Sequence, residues 1–269
     1  MQLFQYQNDV VFDIKKAIKK GYRRICAVLS TGGGKTAIFS HIAASALAKK
    51  MISDPDLLFN KSVLILTHRT ELLTQSHGTL SRFGVVGGII KACFTPNKMA
   101  GIQVASVSTL VARLPKHREK YDIVIIDECH HATAPTYKKI LEHFNPGLIL
   151  GFTATPERAD GTGLGDVFDY MVIGPPLREL IRMGRLCRPV TIRPETELDV
   201  SGVRVKGKDF DEKELETIVN TKSITGDVVA HYLKFGNNMP GCAFCVSVKH
   251  AEHVAAAFND AGIPSAAGA

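Results

Sequence analysis

The sequence lacks tryptophan, has few cysteines and contains no long apolar stretch. Its 269 residues include 6 cysteines and no Trp. No segment approaches the ~18 consecutive apolar residues of a membrane-spanning helix, and the first residues lack the basic-then-apolar order of a secretory signal. The scattered cysteines favour buried, reduced thiols over a disulfide framework. We therefore expect neither a secreted nor a membrane protein, and we predict a cytoplasmic location.

Acidic residues are outnumbered by basic ones. Lys and Arg total 33 against 26 Asp and Glu, so the formal net charge is +7. An excess of this sign suits a polyanionic partner such as nucleic acid, although a merely soluble basic protein carries the same excess. Apolar residues make up 45% of the chain, which is enough to build a core and argues against intrinsic disorder.

Short apolar segments alternate with helical patterns over residues 1–195. The strand-like segments are 25–29, 63–67, 102–106, 123–126 and 148–153, and the helical patterns are 9–20, 35–50, 70–80 and 135–144. Continuously apolar strands are typical of a parallel sheet covered on both faces. The alternation of strands with helices predicts an α/β fold.

The pattern changes near residue 195. A polar connector is followed by Asp211 and Glu214, whose spacing predicts a capped short helix. A further helix, a strand over 242–248 and a last helix ended by Gly262 follow. One strand and two helices cannot bury a sheet, so we expect this part to be the incomplete start of a second domain. The predicted boundaries are a domain over 1–195, a linker over 196–221 and the incomplete unit over 222–269.

A glycine-rich loop joins the first strand to the second helix. Glycines let backbone N–H groups converge on phosphate, and the helix N-terminus adds partial positive charge. Lys35 can reach the β and γ phosphates, and Thr36 can hold Mg²⁺. The strict motif has a glycine where this chain has Leu29. The predicted ATP-binding residues in this loop are Thr31, Gly32, Gly33, Gly34, Lys35 and Thr36.

Two adjacent carboxylates end the apolar strand over 123–126. Asp127 and Glu128 are followed by Cys-His-His. A carboxylate at the end of a strand can support Mg²⁺ through water, and a second one can orient and deprotonate an attacking water. Neighbouring side chains of a strand point different ways, so the two acids can have separate roles. Solvated acids are common at strand ends, and the pair gains weight from the glycine-rich loop.

These motifs together resemble motifs I and II of the superfamily 2 helicases, in the DExH branch of the DEAD/DEAH-box-like group. Further segments resemble motifs of that family in the same order: 67–72 is similar to motif Ia, 108–110 to the segment after it and 151–156 to motif III. Within the family, the resemblance is nearest to phage and bacterial DNA helicases and the restriction-translocase group.

The resemblance implies a fold, a pair of cofactors and a partner. The fold is a RecA-like P-loop NTPase domain, with a parallel sheet flanked by helices, followed by the truncated start of a second RecA-like domain. The cofactors are ATP and Mg²⁺, and the partner is nucleic acid, with DNA favoured over RNA. The implied roles are adenine contact for Gln7, phosphate contact for Lys35, metal support for Asp127, general base for Glu128, coupling for His130, Thr153 and Thr155, and contact with the nucleic-acid backbone for Arg69 and Thr109.

Two other function classes stay open at this stage. A P-loop phosphotransferase accounts for the glycine-rich loop but not for 67–72 or 151–156. A non-catalytic fragment that binds ATP or nucleic acid accounts for all the motifs without turnover. The family's motifs V and VI are not seen in this sequence, so we expect the isolated chain to hydrolyse ATP poorly.

Two groups of cysteine and histidine have partial metal-site spacing. Cys242 and Cys245 are spaced as half of a zinc site, but no second pair accompanies them. Cys129, His130 and His131 are adjacent, so their side chains point apart on an extended backbone. We favour a structural role over a zinc site for both groups.

Overall fold

The chain divides into two compact units, Met1–Arg188 and Pro189–Ala269. The computed structural model describes residues 1–47, 61–68, 70–92, 94, 97, 99–117, 119–156, 163–192, 199–206, 209–236 and 238–268. Within these ranges, no helix combines the length and the apolar character needed to cross a membrane.

A seven-stranded sheet, parallel at every pairing, forms the centre of the first unit. Its strands are β1 Arg24–Val28, β2 Val63–Thr67, β3 Gly88–Ile90, β4 Ile102–Ser106, β5 Ile123–Asp127, β6 Leu148–Thr153 and β7 Tyr170–Ile173, in the spatial order β3-β4-β2-β5-β6-β1-β7. This sheet confirms the predicted α/β fold of the RecA-like type. The short strands β3 and β7 form its two edges and were not predicted from the sequence.

Helices cover both faces of the sheet. Those of the first unit are α1 Gln5–Lys19, α2 Lys35–Leu47, α3 Thr70–Arg82, α4 Val107–Arg113, α5 Pro135–Phe144 and α6 Leu177–Arg182. Successive strand residues face opposite sides, so Ile65 packs in the core beneath α1, α2 and α3, whereas Leu64 and Leu66 pack beneath α4 and α5. Burial on both faces explains the continuously apolar strands.

The parallel arrangement brings the loop after every strand to the same edge of the sheet. Val28 pairs with Thr153 across β1 and β6, Asp127 with Phe152 across β5 and β6, and Leu66 with Ile126 across β2 and β5. Ligands of open α/β sheets bind outside this carboxyl edge. The loops that carry the sequence motifs therefore lie side by side.

The second unit contains a small hairpin and three helices. The hairpin strands are β8 Val205–Lys206 and β9 Asp209–Phe210, and the helices are α7 Glu212–Val219, α8 Lys222–Phe235 and α9 Val248–Asp260. The Asp211 side chain accepts hydrogen bonds from the backbone N–H groups of Lys213 and Glu214, which confirms the predicted cap. Gly262 follows α9 with a φ of +78°, the left-handed conformation that commonly ends a helix.

Two sequence expectations about this region are wrong. Residues 242–245 form no strand, because no strand among the described residues offers them a ladder, and Phe244 is 96% exposed. The cysteines are also less buried than expected: Cys26 and Cys129 are buried, whereas Cys187 and Cys242 are exposed.

Candidate active site

The glycine-rich loop after β1 adopts a backbone that only glycine takes without strain. Gly32 and Gly34 have φ values of +78° and +80°, and the Gly33 N–H donates to Ser30 O at 2.9 Å. A Cβ at Gly34 would lie 2.3 Å from Gln7 Nε2. The Ile38 N–H donates to Gly34 O at 3.1 Å and closes the first turn of α2. The loop therefore leads directly into a helix N-terminus, as phosphate binding requires.

The predicted adenine-contact residue braces this loop from the start of α1. Gln7 is 4% exposed, and its Oε1 accepts a hydrogen bond from the Phe4 N–H at 3.0 Å. Gln7 Nε2 lies 3.3 Å from Tyr6 Oη and 3.5 Å from Gly33 O, and Tyr6 Oη donates to Gly33 O at 3.0 Å. Burial raises the pKa of Tyr6, which keeps its hydroxyl protonated as a donor. Gln7 and Tyr6 thus hold the backbone of the loop.

Glu128 lies between two potential positive groups. Lys35 Nζ is 3.6 Å from Glu128 Oε1, and His130 Nδ1 is 3.4 Å from Glu128 Oε2. Glu128 has a φ of +51°, a left-handed conformation that is uncommon for a non-glycine residue. The backbone turn at the end of β5 therefore aims this carboxylate at the glycine-rich loop. The loop and the acidic pair, separated by more than ninety positions in sequence, form one cluster.

Asp127 occupies a different environment from its neighbour. The residue is 3% exposed, and its Oδ1 accepts the Glu128 N–H at 3.1 Å. Burial, followed by the negative charge of Glu128, raises the pKa of Asp127 to about 6, although that hydrogen bond and Lys35 act in the opposite direction. A buried carboxylate under such repulsion is stabilised by an added cation. Asp127 therefore suits the support of a divalent metal better than proton abstraction.

A hydrogen-bonded group connects this cluster to the end of β6. Thr153 Oγ1 donates to Thr155 O at 2.9 Å and accepts the Thr155 N–H at 3.1 Å. His130 Nδ1 lies 3.1 Å from Thr153 Oγ1. Because the hydroxyl hydrogen points to Thr155 O, the ring nitrogen is the donor in this contact. The three residues predicted to couple the ATP site to motif III are therefore in direct contact.

The remaining predicted site residues lie around this cluster. Thr31 is exposed on the loop, and Thr36 is half-buried in the first turn of α2. Thr109 is half-buried on α4, which begins directly after β4. Arg69, predicted to contact the nucleic-acid backbone, lies outside the described residues. Its neighbour His68 is exposed at the end of β2.

Several contacts in this region were not predicted from the sequence. The Arg185 guanidinium lies 3.9 Å from the ring centre of Phe4, beside Gln7. The rings of His68 and His131 lie 5.0 Å apart across two different loops. These pairs are far apart in the chain, so only the register of the sheet and the path of the loops bring them together. The pair of histidines after Asp127 and Glu128 was the one available signal.

Neither group with partial metal-site spacing forms a metal site in the structure. Among the described residues, no group of three His, Cys, Asp or Glu side chains has an arrangement that could hold a metal ion. Cys129 Sγ instead packs 3.6 Å from Cys26 Sγ in the core, in space that Gly151 leaves open.

Comparison with known proteins gives a family match and several relatives. Residues 1–158 match the family model described as type III restriction enzyme, res subunit. A Saccharomyces cerevisiae protein assigned as an ATP-dependent helicase, IRC3, is 32% identical over 97% of this chain and 39% of its own length. A Schizosaccharomyces pombe protein assigned as a mitochondrial ATP-dependent helicase is 30% identical over 99% of this chain and 45% of its own length. The chain thus spans less than half of each relative.

Solved structures support the fold. The Type ISP restriction-modification enzyme LlaGI, solved with a DNA substrate mimic, superposes with a TM-score of 0.52 over 93% of this chain and 26% of its own length. The sequence identity over that match is 12%, so this similarity concerns the fold.

Proposed function

Because this chain belongs to the family of type III restriction enzyme res subunits, we propose that it is the ATP-binding portion of an ATP-dependent nucleic-acid helicase or translocase. The observation that carries the proposal is the contact of Lys35, Glu128 and His130 at the carboxyl edge of a RecA-like sheet. A phosphotransferase has no use for the further contact of His130 with Thr153.

The site suits ATP with Mg²⁺ as its cofactors. The positive φ angles at Gly32 and Gly34 and the helix N-terminus beyond them form a cradle in which a Cβ would interfere. Asp127 is a buried carboxylate with an elevated pKa, and Thr36 offers a hydroxyl nearby on α2. A bound Mg²⁺ would supply positive charge to the phosphate oxygens. Oxygen ligands of this kind are the ones that Mg²⁺ prefers.

Each residue of the cluster has a proposed role. Lys35 Nζ leaves Glu128 and neutralises the β and γ phosphates, because these carry more charge than one carboxylate. Glu128, freed from that ion pair, accepts a proton from the attacking water. Asp127 remains ionised and supports the metal. In this scheme, Gln7 holds the loop and contributes to adenine contact.

The proposed coupling runs through His130 and Thr153. His130 Nδ1 donates toward both Glu128 and Thr153, so a change at the phosphates reaches the end of β6 through one ring. Thr155 shares that hydrogen bonding. We assign contact with the backbone of the nucleic acid, DNA rather than RNA, to Arg69 and Thr109. We also propose a cytoplasmic location, while one relative is named mitochondrial.

We further propose that this chain alone hydrolyses ATP slowly. More than half of each curated relative lies outside the match, which leaves room for groups that complete the ATP site in the whole protein. An arginine supplied from elsewhere is worth ~10³–10⁵ in rate in other nucleotide hydrolases. A steady-state ATPase assay at saturating DNA measures this.

The experiment that tests the proposed function is a titration of labelled single-stranded DNA with the chain, followed by fluorescence anisotropy. We expect binding at low salt and a steep loss of affinity as salt rises, since phosphate contacts release counterions. Sequence preference should be weak, because phosphate contacts carry no direct sequence information. Arg69→Ala should reduce the salt slope by about one phosphate contact.

The control is Lys138→Ala, which removes an exposed lysine of α5 and should leave both the affinity and the slope unchanged. Absence of binding at low salt, or binding that salt does not affect, would contradict the proposed function.

A further inference from the structure

Three histidine rings lie in a row at the carboxyl ends of β2 and β5, and we call them the histidine row. The ring centres of His130 and His131 are 4.1 Å apart, and those of His131 and His68 are 5.0 Å apart. His68 directly follows β2, whereas His130 and His131 belong to the turn after β5. The strands are neighbours, with Leu66 paired to Ile126, so the row bridges two adjacent loops.

The two ends of the histidine row reach two different sites. At one end, His130 Nδ1 lies 3.4 Å from Glu128 Oε2 and 3.1 Å from Thr153 Oγ1. At the other end, His68 is exposed and immediately precedes Arg69, the proposed nucleic-acid contact. The row is therefore a continuous side-chain path from the proposed general base to the proposed strand-binding segment.

The surroundings of the row make it suited to transmit a displacement. All five residues of β2 and all five of β5 are buried, so the strands themselves are held by the core on both faces. Movement of the segment after β2 is then absorbed by the side chains at the strand ends. Packed rings have few torsion angles, so displacing one ring displaces the next.

We propose that His68 and His131 are positioning residues that couple occupancy of the nucleic-acid strand to the placement of His130 and Glu128. The inference rests on the proposed function, because it requires both ligands on this chain. Nucleic acid that fixes the segment after β2 holds His68, and His131 then keeps His130 where its Nδ1 faces Glu128 and Thr153. By linkage, Mg·ATP and nucleic acid change each other's affinity by the same factor.

The test measures that factor. The affinity for labelled single-stranded DNA is determined by anisotropy, with and without a saturating, non-hydrolysable Mg·ATP analogue. We expect the analogue to change the affinity of the wild type by about fivefold or more, the lower end of typical allosteric coupling. In His131→Ala the factor should fall to about onefold, while DNA binding without nucleotide stays within about threefold of wild type.

Two further variants separate coupling from folding. His131→Phe keeps a ring in the row and should retain the coupling factor, a rescue that loss of the imidazole charge would not allow. His143→Ala removes an exposed histidine of α5 outside the row and should behave as the wild type. If circular dichroism shows that His131→Ala is unfolded, His68→Ala at the exposed end of the row provides the same test.

Each outcome decides the proposal. A wild type that binds both ligands without mutual effect, or a His131→Ala variant with the coupling of the wild type, overturns the inference and leaves the proposed function intact. Loss of coupling in His131→Phe also overturns the path through packed rings. A wild type that binds neither ligand overturns the proposed function and the inference with it.

Discussion

Asp127 and Glu128 are adjacent in sequence, yet they have opposite electrostatic settings. Asp127 is buried with its pKa raised to about 6, whereas Glu128 is partly exposed and lies near Lys35 and His130. The left-handed backbone at Glu128 costs roughly 1–2 kcal/mol, and it directs the carboxylate toward the phosphate loop. Strain of this kind at a cluster of charged groups is typical of functional sites. The two acids are therefore suited to different tasks.

The raised pKa of Asp127 predicts how the stability of the ligand-free chain depends on pH. The folded chain binds this proton more tightly than the unfolded chain, so the contribution is full below about pH 4 and is lost as pH rises through about 6. Asp127→Asn removes the buried charge and should raise the free energy of unfolding at neutral pH by roughly 1–3 kcal/mol. Urea denaturation at several pH values measures the gain, which should vanish in acid.

Asp122→Asn serves as the control with the opposite sign. Burial alone would raise the pKa of Asp122, but hydrogen bonds from Ser62 and Lys61 outweigh it and hold the pKa below its usual value. This group stabilises the fold above the unfolded pKa of about 4 and loses its contribution in acid. Asp122→Asn should therefore destabilise the chain at neutral pH. Equal pH profiles for the two variants would contradict this account.

At the scale of elements, α1 and the loop after β1 act as one unit. Tyr6 and Gln7 at the start of α1 hold the carbonyl of Gly33, and the bare Cα of Gly34 leaves space for the Gln7 amide. The first turn of α2 begins where the loop ends. The phosphate loop is therefore preorganised by a helix that the sequence places far ahead of the metal-binding acid.

Gly34→Ala tests this preorganisation. The new Cβ would lie 2.3 Å from Gln7 Nε2 at a φ of +80°, so the variant should lose about 1 kcal/mol or more of stability and bind Mg·ATP more weakly. Gly78→Ala on α3 is the matched control, since its Cβ meets nothing within 4 Å. Relief of a helical glycine should stabilise by roughly 0.5–1 kcal/mol. Thermal unfolding and calorimetry measure both; a Gly34→Ala variant that resembles Gly78→Ala would contradict the account.

The long buried strands were predictable from sequence, and the edge strands were not. β2, β4 and β6 begin and end where their apolar segments do, because burial on both faces leaves few polar residues in them. β3 and β7 have three and four residues at the sheet edges, too short for a periodic signal. Residues 242–245 are apolar like a strand but have no partner strand in the described chain, and an apolar segment alone does not make a ladder.

The candidate site was predictable in its loops but not in its contacts. The glycine-rich loop and the acidic pair have compositions that only phosphate and metal chemistry explains well. The contact between His68 and His131 depends on β2 lying beside β5, which the order of the sequence does not determine. The bracing role of Gln7 was missed as well, because a capping contact and an adenine contact require the same amide.

On the scale of the whole molecule, the sheet order gathers loops from distant parts of the chain. β1, β5 and β6 lie together, so the phosphate loop, the acidic pair and Thr153 adjoin at one edge, with β2 and its following segment next to them. A sheet with a crevice at this edge binds its ligand there. The net charge of +7 adds attraction for both ATP and nucleic acid.

The central claim is that this edge binds Mg·ATP through Lys35, and calorimetric titration of the chain with Mg·ATP tests it most directly. The account predicts that the wild type binds one nucleotide per chain and that Lys138→Ala does the same. Lys35→Ala should weaken binding by about tenfold or more, because it removes a charge-assisted contact with the phosphates. Equal affinity in the wild type and Lys35→Ala would contradict the account.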